Sequence, residues 1–75
     1  MNNERRKKIK YATSLLNQAR DIINDVMSDE DLAFNNLSEG LQCTLRGEQM
    51  ENNVSEMEEA IDNIDEAMDN LNNLE

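Results

Sequence analysis

Apolar residues recur along the first half of the chain at Ile9, Ala12, Leu16, Ala19, Ile23 and Val26. The steps are three and four residues, the spacing that lines up one side of an α-helix in a heptad repeat. Leu15 and Ile22 each precede a residue of this stripe and widen it. A second tract follows the same rule, with Met50, Val54, Met57, Ile61, Ile64, Met68 and Leu71, flanked by Ala60, Ala67 and Leu74. Three apolar positions per heptad form a stripe broad enough for a bundle rather than a two-stranded coil. Strand-like alternation is absent, and β-branched residues are few.

The phase fails between the tracts. Extending the second stripe backwards places Cys43, Gly47 and Gly40 on the packed side and leaves Leu41 and Leu45 outside it. The helix is therefore expected to stop there. Asn35-Asn36 is a weak helix end, Ser38 before Glu39 a restart, and Thr44 an N-cap for the last helix. The pattern predicts an all-α chain of one domain, 1–75: helix 4–35, bent near Ser28, a compact connector 36–43, and helix 44–73. Short connectors place successive helices antiparallel. The expected packed positions include Ile9, Leu16 and Ile23 on one helix, and Val54, Ile61, Ile64, Met68 and Leu71 on the other. Phe34, Leu41 and Leu45, with Leu32 and Leu37, are expected to fold over the tip; an exposed secondary partner patch of Phe34, Leu41 and Leu45 is the other reading.

Size changes this picture. Seventy-five residues enclose a marginal core unless disulfides, metal or association assist. Cys43 is the single cysteine, so it has no partner within the chain, and it is read as a buried structural thiol. One thiol and no histidine leave no zinc site. Association is the remaining support, and a homodimer or higher oligomer is expected, two hairpins forming a four-helix bundle. The lone thiol also suggests a reducing, cytoplasmic setting. No signal peptide is expected, because no apolar run follows the basic start; nor does any stretch suit a membrane span.

Charge is unevenly distributed. The segment RRKKIK, residues 5–10, holds five of seven cations, and Glu48 to Glu75 holds ten carboxylates and no cation. In an antiparallel hairpin, Arg5, Arg6, Lys7, Lys8 and Lys10 are expected beside Asp65, Glu66, Asp69 and Glu75, fixing the orientation. A net charge of −10 disfavours nucleic acid and anionic membrane as direct partners. A nucleic-acid arm or a small DNA-binding regulator built on RRKKIK remains as a rival reading.

Catalytic chemistry finds little to stand on. Without histidine there is no triad, and Cys43 has only Arg46 near it in sequence. No glycine-rich phosphate loop occurs. SDEDLAFNNLSE fails the calcium-loop template, with Leu32 at a ligand position and Ala33 where glycine is required. No enzyme activity, cofactor or metal is expected. The sharpest feature is a row of carboxylates on the last helix, Glu51, Glu58, Asp62, Asp65 and Asp69. At 1.5 Å rise, the helix carries roughly one negative charge per 4 Å of axis, near the roughly 3.4 Å per charge of one DNA strand. A solvated face paired with RRKK is the plain alternative.

The central and C-terminal residues resemble a set of small, uncharacterised acidic helical proteins of bacteriophages and prophages. Those share an RRK start, a D-E-x-x-A-x-x-N-L-P-E-x-L-Q centre and a G-E-x-M-E opening of an acidic heptad helix. The matching residues are Arg5, Arg6 and Lys7; Asp29, Glu30, Ala33, Asn36, Leu37, Glu39, Leu41 and Gln42; and Gly47, Glu48, Met50 and Glu51. Ser38 stands where the proline is found. The resemblance implies a phage-type origin in the host cytoplasm and no particular chemistry. On that basis the expected function is a non-enzymatic protein-binding module, an inhibitor of a host nucleic-acid-binding defence protein acting through its acidic face. The alternative is a structural or assembly bundle, such as a virion accessory, acting through apolar helix contacts.

Overall fold

The computed structural model describes all 75 residues as three helices and no strand. They are α1 (Asn3–Asn35), α2 (Glu39–Gln42) and α3 (Leu45–Asn72). The two long helices pack antiparallel: Arg20 meets Asp65, Phe34 shares a cavity with Glu51 and Val54, and Ile9 shares one with Leu71 and Leu74. The hairpin measures 58 × 15 × 12 Å.

Each helix start has its own cap. The Asn2 side chain accepts a hydrogen bond from the Arg5 amide at 2.8 Å, Ser38 from the Leu41 amide at 3.4 Å, and Thr44 from the Gly47 amide at 3.5 Å. These satisfy backbone donors that have no partner within the first helical turn. The connector is fastened by Gln42, whose side-chain amide donates to the carbonyls of Phe34 at 3.3 Å and Leu37 at 3.1 Å. The carbonyls of Phe34, at the end of α1, and of Leu37, just beyond it, thereby hold α2 in place. Gly47 is buried because the chain crosses itself there. A Cβ at this position would lie 2.6 Å from the carbonyl carbon of Gln42. The demand is close approach of two backbones and not an unusual dihedral angle, since no residue has positive φ.

Two expectations for α1 need correction. The helix runs unbroken through Ser28. The packed side also departs from the predicted stripe: Met27 is half-buried and Val26 is 49% exposed. The half-buried positions run Ile9, Thr13, Leu16, Arg20, Ile23, Met27, Glu30, Phe34 and Leu37, with Ala12 and Ala19 alongside. A heptad stripe drifts about 20° per repeat around a straight helix. The step of four from Ile23 to Met27 keeps contact with α3 and brings Phe34 and Leu37 into line; a step of three to Val26 does not.

Packing is shallow. Met50 and Ile61 are the only buried apolar residues, both on α3. Ile9, Leu16, Ile23, Val54, Ile64, Met68 and Leu71 are half-buried. At the tip, Phe34 and Leu37 are half-buried, whereas Leu32, Leu41 and Leu45 are exposed and do not close over the end. Cys43 is also exposed, contrary to the reading of a buried thiol. It follows the short α2 on the outer side of the turn, and the packed position goes instead to Gly47, which alone fits against Gln42.

Candidate functional site

The hairpin has two unlike faces. One is polar: Lys10, Ser14 and Asn17 of α1 line a groove with Asp65, Asp69 and Asn72 of α3. Farther toward the tip, Asp31 and Asn35 line its continuation with Glu51 and Ser55. The acidic row borders this face, since Glu51, Glu58, Asp62, Asp65 and Asp69 recur at the helical spacing that keeps them on one side of α3. Glu51, Glu58, Asp62 and Asp69 are exposed.

Asp65 is the exception in the row. It is half-buried and grips Arg20 through both oxygens, with Nε to Oδ1 at 2.6 Å and Nη2 to Oδ2 at 3.4 Å. This fork-to-carboxylate geometry is the strongest form of the pairing. The Arg20 pKa is raised above its ordinary value, first by the hydrogen bond from its side chain to Asp65 and then by the charge of Asp65, with smaller contributions from Asp21 and Asp62. Arg20 was not among the residues singled out in the sequence. Its signal was present: Thr13, Arg20, Met27 and Phe34 recur every seven residues, so a cation occupies a heptad position facing α3.

Arg20–Asp65 is also the only ion pair of the hairpin. The basic run does not pair with the acidic end as expected. Lys10 shares the groove with Asp65 and Asp69, and Arg6 shares a cavity with Leu74 and Glu75, but neither bonds a carboxylate. Arg5, Arg6, Lys7 and Lys8 are all exposed. The register is the physical reason. Asn72, the last residue of α3, lines the same groove as Thr13, so residues 5–8 of the basic run project beyond the end of α3.

The opposite face is apolar. Ala12 and Ala19 of α1 and Ala60, Ile64, Ala67 and Leu71 of α3 line it half-buried. Outside them Tyr11, Leu15, Ile22 and Val26 stand exposed on α1. Leu41 and Leu45 are exposed at the tip, while Phe34 turns toward α3, so these three form no single patch.

No family model, curated protein or solved structure matches this chain. No three His, Cys, Asp or Glu side chains are grouped as a metal site, and no helix is long and apolar enough to cross a membrane.

Proposed function

We propose that this chain is a non-enzymatic protein-binding module of phage type. It presents the acidic row of α3 to a basic surface, such as the nucleic-acid channel of a host defence protein. One observation carries the reading: Glu51, Glu58, Asp62 and Asp69 are exposed on a 28-residue helix, and no cation of the chain pairs with them. A regular, uncompensated line of charge on a stiff rod is complementary to a channel lined with lysine and arginine, and steers association with it. Arg20 holds the row in place through Asp65 and leaves the other carboxylates free.

The test is capture of partners from a bacterial lysate, followed by a salt wash series. The wild-type protein is expected to retain a nucleic-acid-binding protein at low salt and release it steeply as salt rises. A variant carrying Glu51→Lys, Glu58→Lys, Asp62→Lys and Asp69→Lys keeps the Arg20–Asp65 pair and is expected to capture nothing of that kind. Equal capture by both proteins would overturn the reading. A second reading, an assembly or virion accessory bundle, is favoured by the exposed apolar side chains of α1; it predicts capture that is indifferent to salt and to these four changes.

A further inference from the structure

The exposed stripe on α1 has an internal symmetry that the acidic row does not share. Tyr11, Leu15, Gln18, Ile22 and Val26 follow at steps of three and four and occupy one side of the helix. Tyr11 and Ile22 are about two-thirds exposed (66% and 64%), and Leu15 and Val26 about half. The stripe mirrors itself about the point between Gln18 and Ala19: Leu15 and Ile22 are equally distant from it, and so are Tyr11 and Val26. Farther out, the charge inverts in the same register. On the stripe's own side of the helix, Lys8 is mirrored by Asp29. Neither is ion-paired within the chain, and both are exposed.

We propose that a second copy of this chain docks on this stripe, its α1 antiparallel to the first, with a two-fold axis between Gln18 and Ala19. Tyr11 then packs on Val26 of the second copy, Leu15 on its Ile22, and Lys8, in line with the stripe, faces its Asp29. Every contact occurs twice, as a self-complementary interface requires. A parallel arrangement would set Lys8 against Lys8 and Asp29 against Asp29, so charge selects the antiparallel one. Lys8, unpaired within the hairpin, thus finds its counter-charge in another molecule. Alongside, Ala12 and Ala19 together with Ala60, Ile64 and Ala67 bring α3 of each copy into a four-helix arrangement.

Surface area supports a second copy independently of charge. The hairpin exposes 5835 Å², whereas a compact monomer of 8.6 kDa exposes about 4,700 Å². The excess, roughly 1,100 Å², exceeds the roughly 800 Å² each partner buries in an interface of ordinary size. The inference does not rest on the acidic row, which lies on the other face.

Directed cross-linking decides the matter. In a Cys43→Ser background, Lys8→Cys and Asp29→Cys are each placed on the exposed surface. Each alone is expected to remain uncross-linked under mild oxidation, and an equimolar mixture is expected to form the mixed disulfide. Cross-linking of Lys8→Cys with itself would reveal a parallel dimer and overturn the proposal, and so would a mixture that stays uncross-linked. Sedimentation gives a second readout. The variants Lys8→Glu and Asp29→Lys are each expected to dimerise about ten-fold more weakly, and their mixture to recover a heterodimer. A wild-type monomer at tens of micromolar, helical by circular dichroism, would also overturn it. So would loss of dimer only in the acidic-row variant of α3.

Discussion

Gly47 and Gly40 lie seven residues apart and are expected to respond oppositely to the same methyl group. A Cβ at Gly47 meets the backbone of Gln42, which cannot turn aside as a side chain would. Gly47→Ala is expected to destabilise the hairpin by about 1–3 kcal/mol, seen as a lower urea midpoint. A Cβ at Gly40 meets nothing, and α2 is helical there. Gly40→Ala is expected to stabilise by about 0.5–1 kcal/mol through the unfolded chain. Gln42→Ala removes the hydrogen bonds to the Phe34 and Leu37 carbonyls and is expected to cost about 1 kcal/mol. The Thr44 cap was legible in the sequence because serine and threonine before a helical run have a local reason to be there. The placements of Cys43 and Gly47 were not, because they depend on where two distant backbones touch.

At the scale of the helices, the heptad spacing was sufficient to fix an all-α chain with two long helices packed on each other. On α3 the apolar spacing and the packed side coincide from Met50 to Leu71. On α1 they part at Val26, since spacing alone cannot say whether the next contact after Ile23 is three or four residues on. The difference is measurable. Met27→Ser is expected to lower the unfolding midpoint of the hairpin itself, whereas Val26→Ser is expected to leave a dilute monomer almost as stable and to weaken self-association. Ile61→Ala removes one of two buried apolar side chains and is expected to cost about 2–4 kcal/mol by thermal melting. The Arg20–Asp65 pair is not legible from charge runs: a single cation at a heptad position makes the contact, and the run of five does not.

For the whole molecule, the Cα radius of gyration is 17.2 Å, well above the roughly 11 Å of a compact chain of this length. The shape and the two-fold proposal make a joint prediction for small-angle scattering. Because the proposed axis passes near the middle of α1, the two copies lie side by side over their full length. The mass is expected to double while the longest dimension stays near the 58 Å of one hairpin; an end-to-end pair would nearly double it. Neither acidic row is covered in this arrangement, so a partner-binding role and self-association do not compete.

The exposed thiol at the turn has a practical consequence. Cys43 is accessible and makes no hydrogen bond through its side chain, so one native position accepts a spin label or a fluorophore with no engineered residue. In the antiparallel pair the two labels sit at opposite poles, about 50 Å apart by helix rise, whereas copies pointing the same way would bring them close together. A single pulsed-dipolar distance on the unaltered sequence therefore reports which way the second molecule faces.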